Sequence, residues 1–131
     1  MFRKFAKNEV EPLAAELDRT HQFPYETFKK MADLGLTGLP IPEEWGGAGA
    51  TYLDFAMFIE EIAKVCASTA VVMSVHTGLG CMSIYLYGSD RLKEKYLRPL
   101  AKGEIVGAYA LTEPNAGSDA ASLKCRAEDK G

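Results

Sequence analysis

The chain has 131 residues, of which 47% are hydrophobic and 25% charged, a composition typical of a globular rather than a disordered protein. Its formal net charge of −3 lacks the basic excess that nucleic-acid binding requires, which argues against that class. Its cysteines, Cys66, Cys81 and Cys125, form no CxxC pair and are odd in number, which disfavours a secreted disulfide framework and indicates a reducing compartment.

The first part of the sequence predicts two helices and a loop. Apolar residues recur at helical spacing over residues 2–18, where Pro12 predicts a kink or a helix start. A second helix is expected over residues 24–34, followed by Gly35 at the position after its last turn. The stretch TGLPIPEEWGGAGA then predicts a loop, in which Trp45 is interpreted as filling a gap beside a tight turn.

Two strongly apolar helices are expected next. Thr51 and Asp54 resemble a capping box, and the helix after them is apolar nearly all round, so we expect it to lie inside a bundle. Ser68 or Thr69 is expected to cap the following helix. Residues 65–89 carry no formal charge, and a bilayer span needs about 20 mostly apolar residues. The polar side chains within this stretch favour a buried helix of a soluble bundle over a membrane span.

The periodicity changes near residue 104. Residues 89–103 predict a helix capped by Ser89, which Pro99 is expected to bend or end. The run IVGAYAL (residues 105–111) is short and apolar and predicts a strand, and residues 123–127 predict a weaker second strand. The predicted fold is therefore mainly α, a helical bundle followed by the first strands of a β segment.

A polar turn, TEPNAGSD, follows the first predicted strand. Pro114 fixes the backbone, and Gly117 allows close approach to another group. Thr112 and Ser118 add hydroxyl groups that can donate or accept hydrogen bonds. These residues suit a turn that binds a polar ligand, and spacing alone leaves an ordinary surface turn equally compatible.

The run YALTEPNAGSDA is very similar to the first signature of the acyl-CoA dehydrogenase family. The stretches GLTGLPIPEEWGGAGA, SVHTGLG and YGSDRLKEKYLRPLAKGE resemble other segments of that family in order and spacing, most closely in bacterial short-chain or branched-chain members. The resemblance covers essentially the whole chain. It implies that residues 1–104 form the N-terminal helical domain of the family and residues 105–131 the truncated start of its middle β-barrel domain.

The activity implied by this resemblance is the oxidation of an acyl-CoA thioester to the trans-2-enoyl-CoA in fatty acid β-oxidation. In this family a glutamate removes the α-proton, a hydride leaves the β-carbon for N5 of FAD, and an electron-transfer flavoprotein takes the electrons. The resemblance further implies a homo-oligomer, a tetramer when complete, without metal or membrane span. Its expected location is the bacterial cytoplasm, or the mitochondrial matrix of a eukaryote.

Residues are assigned to the cofactor by their position in the signature. The resemblance places Tyr109, Leu111 and Thr112 along the flavin, with the Thr112 hydroxyl near N5 and the Leu111 backbone N–H directed at the ring. Gly117 allows the chain to approach the cofactor. Ser118 is expected to contact the cofactor phosphates or the CoA moiety.

The helix over SVHTGLG is expected to contribute to the substrate site. The resemblance places Val72, Val75 and Leu79, together with Val71, in the acyl-chain cavity, although packing of a core helix explains these residues equally well. His76 beside them is interpreted as a packed or hydrogen-bonded core residue rather than a catalyst.

No catalytic residue is assigned within the chain. In the family the catalytic glutamate lies in a C-terminal helical domain, beyond residue 131, and a second flavin-contacting segment of the β-domain is also absent. We therefore expect a fragment that is inactive by itself and that begins inside what resembles the first helix of the family, with a few N-terminal residues missing. Two alternatives stay open: a non-catalytic scaffold or binding protein derived from this fold, and an acyl-CoA oxidase-like relative. Glutamates interpreted as wrongly placed to act as the base are Glu43, Glu44, Glu60, Glu61 and Glu113.

Overall fold

Helices make up most of the chain in the computed structural model, which describes residues 1–128 and 130. Short 3-10 turns lie between or after the longer helices at Leu36–Gly38, Glu43–Trp45 and Ala120–Ser122. The predicted mainly α fold is confirmed. The longer helices are α1 (residues 2–20), α2 (Tyr25–Asp33), α3 (Tyr52–Ala63), α4 (Ala67–Tyr87) and α5 (residues 90–101).

Wider, π-helical turns interrupt α1 at Ala6–Val10, α4 at Ser74–Cys81 and α5 at Lys93–Leu97. The turns in α1 and α5 end just before Pro12 and Pro99. Proline has no N–H to donate, and its ring collides with the carbonyl four residues earlier in a regular α-helix. The wider turn removes this conflict, so both helices continue through their prolines instead of starting or stopping there.

Buried apolar side chains form two clusters within the described part of the chain. The first lies where α1, α2, α3 and the start of α4 meet, and the second joins the loop before α3 to the second half of α4 and to α5. Trp45 packs against the second cluster, and the charged groups of Lys93 and Arg98 lie 5.5 and 5.9 Å from its ring. The interpretation of Trp45 as a gap-filling residue is thus confirmed. The members of the first cluster are Phe5, Ala6, Val10, Phe28, Met31, Leu36, Leu39, Phe58, Ile62, Ala70 and Met73.

Helix α3 is enclosed on only one side. Phe58 and Ile62 are buried, whereas Tyr52, Leu53 and Met57 are exposed. The prediction that this helix lies inside a bundle is wrong for its outer face: the Tyr52 hydroxyl contacts the Met82 sulfur of α4 at 3.3 Å, but all three side chains stay exposed in the described structure.

The start of α4 also differs from the prediction. Cys66 occupies the N-cap position, and no side chain caps the helix there. The helix begins at Ala67, so Ser68 and Thr69 lie within its first turn, where they cannot act as the N-cap. The Thr69 hydroxyl instead donates a hydrogen bond to the Cys66 sulfur at 3.2 Å.

By length and composition alone, α4 is long and apolar enough to cross a membrane, a test that core helices of soluble proteins also pass. In this structure α4 packs against α3 and α5, and it buries Met73, His76, Thr77 and Cys81. The packing supports its interpretation as a core helix of a bundle.

The chain beyond α5 forms no strand within the described residues. The predicted strand over residues 105–111 has no regular secondary structure, and neither has the weaker one over residues 123–127. Glu113 and Ala116 form a single isolated bridge. A strand is completed by the hydrogen bonds of a neighbouring strand, and the described residues provide no such neighbour.

The capping box of α3 gives a direct test of this fold. The Thr51 hydroxyl accepts a hydrogen bond from the Asp54 N–H at 3.1 Å, and the Asp54 carboxylate accepts one from the Thr51 N–H at 2.9 Å. We expect Thr51→Ala to lower the free energy of unfolding by about 0.5–2 kcal/mol, because it leaves a helix-terminal N–H without its partner. Urea denaturation followed by circular dichroism measures this change. The control is Ser68→Ala, which removes an exposed, non-capping hydroxyl, and equal losses in the two variants would contradict the assignment.

Candidate functional site

A buried histidine joins three parts of the chain next to the predicted site. The His76 side chain on α4 is 0% exposed. Its Nε2 lies 3.1 Å from the carbonyl oxygen of Leu100 at the end of α5, and its Nδ1 lies 2.9 Å from the backbone nitrogen of Gly107. Because the carbonyl only accepts and the N–H only donates, the ring is neutral and carries its proton on Nε2. The interpretation of His76 as a hydrogen-bonded core residue is confirmed.

The surroundings of this imidazole disfavour the charged state. Burial lowers the pKa of His76, and the hydrogen bond to the Leu100 carbonyl opposes this only in part. The Phe28 ring meets the imidazole edge-on at 4.9 Å. The Cys81 sulfur lies 3.9 Å from Nε2, and burial raises the pKa of this thiol to about 12. A thiol with such a pKa is not a nucleophile at neutral pH, so the histidine–cysteine contact is structural.

The segment after α5 passes very close to α4. A Cβ atom at Gly107 would lie 3.2 Å from Leu100 Cδ2 and 3.4 Å from His76 Nδ1. A Cβ atom at Gly80 of α4 would lie 3.5 Å from the Gly107 Cα. Glycine at position 107 therefore allows the backbone to reach the histidine. Residues 109–112, which belong to the predicted flavin site, come shortly after Gly107 in the chain.

The side chains predicted to face the flavin lie at the surface. Tyr109 is 47% and Leu111 39% exposed, and Thr112 and Ser118 are exposed as well. Within residues 1–128 and 130, neither hydroxyl forms a hydrogen bond, so both can bind a ligand. Gly117 is half-buried, and a Cβ there would come no closer than 3.9 Å to Thr112 Cγ2. The segment thus presents apolar surface beside two unengaged hydroxyl groups.

A compact turn fixes the backbone between the two hydroxyl residues. The Glu113 N–H donates to the Ala116 carbonyl at 2.8 Å, and the Ala116 N–H donates back at 3.2 Å. The Glu113 carboxylate accepts hydrogen bonds from the backbone N–H groups of Lys124 and Cys125, each at 2.8 Å. Glu113 therefore organises the turn and the returning chain, which supports its exclusion as a catalytic base.

A second glutamate is held in its charged form. The Glu61 carboxylate is bound by Arg3 at 3.0 Å and Lys64 at 2.7 Å, and these hydrogen bonds lower its pKa to about 2. A general base works best when its pKa lies near the working pH, so the pKa of Glu61 is far too low for that role. Within the described residues, no group of three or more histidines, cysteines or acidic residues is placed to hold a metal ion.

The residues predicted to line the acyl-chain cavity do not share one surface. Val71 and Leu79 are 59% and 41% exposed, and Val75 is partly buried. Leu79 lies beside Gly80, where α4 meets the segment after α5. Val72 instead packs against the first core cluster and lines a groove of about 610 Å³. This groove lies between the end of α1, the α1–α2 loop and the first turns of α4, away from the signature turn.

Gly107 and Glu113 were not singled out as site residues from the sequence. A glycine within the apolar run IVGAYAL is a signal of close backbone approach, which identifies Gly107 in retrospect. The role of Glu113 leaves no comparable signal, because its partners Lys124 and Cys125 act through backbone N–H groups that every non-proline residue carries.

Neutral His76 makes the stability of the fold depend on pH. As the pH falls through about 6.5, the unfolded chain takes up a proton at this residue, whereas burial lowers its pKa in the folded protein. The unfolded state then binds more protons, so the free energy of unfolding should decrease between about pH 7.5 and pH 5.5. Urea midpoints measured across this range test the expectation. His76→Gln should flatten the dependence, while the control His21→Asn, which changes an exposed histidine, should preserve it.

Comparison with known proteins identifies the family to which the chain is similar. The family model described as the N-terminal domain of acyl-CoA dehydrogenases matches residues 1–104. The chain is 52% identical over 119 residues to the short-chain-specific acyl-CoA dehydrogenase of Clostridium acetobutylicum, an alignment that covers 91% of this chain and 31% of the relative. It spans about a third of the length of the curated relatives it matches.

Solved structures share the same fold. The acyl-CoA dehydrogenase from Bacillus anthracis, complexed with FAD, superposes with a TM-score of 0.85 at 38% identity, over 94% of this chain and 21% of that one. A chain from the structure of the electron transferring flavoprotein of Acidaminococcus fermentans gives a TM-score of 0.87 at 36% identity, over 94% of this chain and 32% of that one. Together with the signature turn and the helical bundle, these matches show that the chain belongs to the acyl-CoA dehydrogenase family.

Proposed function

We propose that this chain is the N-terminal part of an FAD-dependent acyl-CoA dehydrogenase that oxidises an acyl-CoA to the trans-2-enoyl-CoA. The observation that carries the proposal is the exposed surface of the signature turn, where the hydroxyls of Thr112 and Ser118 are unengaged within the described residues. Residues 1–104 would be the N-terminal helical domain and residues 105–131 the start of the middle β-domain. The end of α5 at Ala101 and the family match over residues 1–104 support this division.

The residues present fit a flavin. Tyr109 and Leu111 offer half-exposed apolar surface, which an aromatic ring system requires. The exposed Thr112 hydroxyl adds a hydrogen-bonding group beside that surface. The charge of Glu113 is compensated by two backbone N–H groups, which reduces its repulsion of a nearby phosphate. The relative from Bacillus anthracis that was solved with FAD supports the same cofactor here.

FAD, when bound, supplies the acceptor for the hydride that leaves the β-carbon of the substrate. The chain's own contribution is binding and orientation: the Thr112 hydroxyl and the Leu111 N–H would hold the ring edge, and Ser118 would bind a phosphate or the CoA moiety, with Gly117 permitting the approach. Removal of the α-proton needs a base, and the low pKa of Glu61 excludes that residue. We propose that the base is a glutamate contributed from beyond residue 131.

The acyl chain is proposed to lie along the outer face of α4. Val75 and Leu79 support this placement because they are apolar, at least partly accessible and near the contact of α4 with the segment after α5. Val72 has weaker support, since it lines the separate groove beside α1. The identity to a short-chain-specific dehydrogenase favours a short acyl group.

The proposed partner is an electron-transfer flavoprotein, supported by the structural likeness to a chain from such a protein's structure. The exposed apolar side chains of Tyr52, Leu53 and Tyr87 support a larger assembly, because such surfaces are usually covered by further domains or subunits. We propose a homotetramer, in the bacterial cytoplasm or, for a eukaryotic protein, the mitochondrial matrix.

The two hydroxyl residues can be tested in the full-length protein. Thr112→Val should alter the visible spectrum or the reduction rate of the flavin, and Ser118→Ala should weaken FAD or acyl-CoA binding. Each loses a hydrogen bond of about 0.5–1.5 kcal/mol, roughly a 2- to 13-fold effect. Flavin content, spectra, kcat and KM are the measurements. Thr20→Val, on α1, is the control, and wild-type values in both site variants would contradict the proposed site.

The isolated 131-residue chain should behave differently from the full-length protein. A pocket ordinarily encloses most of its ligand, and the described residues form only one wall of the proposed site. We expect this chain to be colourless, inactive on butyryl-CoA with an artificial electron acceptor, and prone to self-association in gel filtration. Stoichiometric FAD binding with turnover would contradict this prediction, because it would show that these residues alone bind the cofactor and catalyse the reaction.

A further inference from the structure

The segment that carries the proposed flavin residues is held to the helical bundle by one hydrogen bond among the described residues. Among the described residues, the hydrogen bond from the Gly107 N–H to His76 Nδ1, at 2.9 Å, is the only one that links residues 105–112 to the rest of the chain. Tyr109 follows this anchor by two residues and Leu111 by four. A chain extends at most about 3.6 Å per residue, so the anchor restricts where both side chains can lie.

We infer that His76 is a positioning residue of the proposed flavin site, which holds residues 109–112 in place through the Gly107 N–H. This role rests on the proposed function, since it concerns the segment assigned to FAD. His76 itself is fully buried whereas the site side chains are exposed, so it acts through the backbone and is not a catalytic residue.

The geometry around the imidazole is what makes it an effective anchor. The Leu100 carbonyl accepts a hydrogen bond from the Nε2–H group and the Phe28 ring packs edge-on, so the ring orientation is fixed independently of Gly107. That orientation directs the Nδ1 lone pair at the Gly107 N–H. The bond to Leu100 is buried and the bond to Gly107 is part-buried, so water competes little with the contact that sets the ring orientation.

Two substitutions separate the hydrogen bonds of the imidazole. In His76→Asn, the amide oxygen occupies about the position of Nδ1 and can still accept from Gly107, while the contact with Leu100 is lost. In His76→Gln, the amide reaches about the position of Nε2 and keeps the Leu100 contact, while the acceptor for Gly107 is lost. Both variants remove the ring and its packing against Phe28, so they are matched in that respect.

Thr77→Val is the control for general destabilisation. The neighbouring Thr77 is equally buried, and its hydroxyl donates to the Thr37 carbonyl at 2.8 Å. This variant weakens the packing of α4 against a different part of the chain and leaves Gly107 untouched. A further variant, Gly107→Ala, displaces the segment without altering the histidine, because its Cβ would meet Leu100 and His76 at 3.2 and 3.4 Å.

The experiment uses the full-length protein with its bound FAD. Hydrogen exchange of the peptide that contains Gly107 is followed by mass spectrometry, and the visible absorption and circular dichroism of the flavin are recorded. We expect exchange at Gly107 to be about five to ten times faster in His76→Gln than in wild type, with a changed flavin spectrum. Gly107→Ala should change the spectrum similarly. His76→Asn should lie closer to wild type on both measurements, and Thr77→Val should keep the wild-type spectrum.

The outcomes distinguish this role from the proposed function. Faster exchange in His76→Gln with an unchanged flavin spectrum would overturn the positioning role, and so would a Thr77→Val spectrum altered as much as that of His76→Gln. If His76→Gln does not fold, an unchanged spectrum in Gly107→Ala overturns the role instead. A wild-type protein that binds no FAD would contradict the proposed function itself, and with it this role.

Discussion

The buried end of α5 constrains the structure around it, because the last carbonyl groups of a helix have no partners within that helix. Here those groups face the protein interior. The Leu100 carbonyl accepts a hydrogen bond from His76, and the Ala101 carbonyl accepts one from the Thr37 hydroxyl at 2.9 Å. The Thr37 carbonyl in turn accepts from Thr77 at 2.8 Å. Buried polar side chains on α4 and in the loop before α3 thus satisfy a helix end that water does not reach.

This network explains why polar residues occupy positions that an apolar core would otherwise fill. For the Ala101 and Thr37 carbonyls, loss of the hydroxyl donor leaves a buried group unsatisfied, at a typical cost of about 1–3 kcal/mol. The bonds also fix relative positions: α4, α5 and the connection at Leu36–Gly38 can meet in only one register if every carbonyl is to be paired. Of the residues in this network, His76 alone also bonds to the segment that leads to Tyr109, through the Gly107 N–H, among the described residues.

The features that could be predicted from the sequence depend on local chemistry. Gly35 adopts a left-handed conformation with φ of 71° after α2, and the Thr51 capping box forms, because both depend on neighbouring residues alone. The missing strands and the exposed face of α3 depend on which other elements lie against them in the folded chain. The periodicity of apolar residues in the sequence carries no such information. In the candidate site, the hydroxyl residues were proposed from the family signature, whereas Gly107 was missed because its partner lies on a distant helix.

The π-helical turn in α4 changes which residues share a face. In a regular α-helix, residues seven apart are nearly aligned, with a drift of about 20°. Val72 and Leu79 have this spacing, but the wider turn at Ser74–Cys81 rotates each residue less about the axis, so the two no longer align. Val72 accordingly lines the groove beside α1, while Leu79 is exposed next to Gly80, near the segment after α5. One continuous helix therefore serves two separate surfaces, and regular α-helical turns at Ser74–Cys81 would bring Val72 and Leu79 back onto one face.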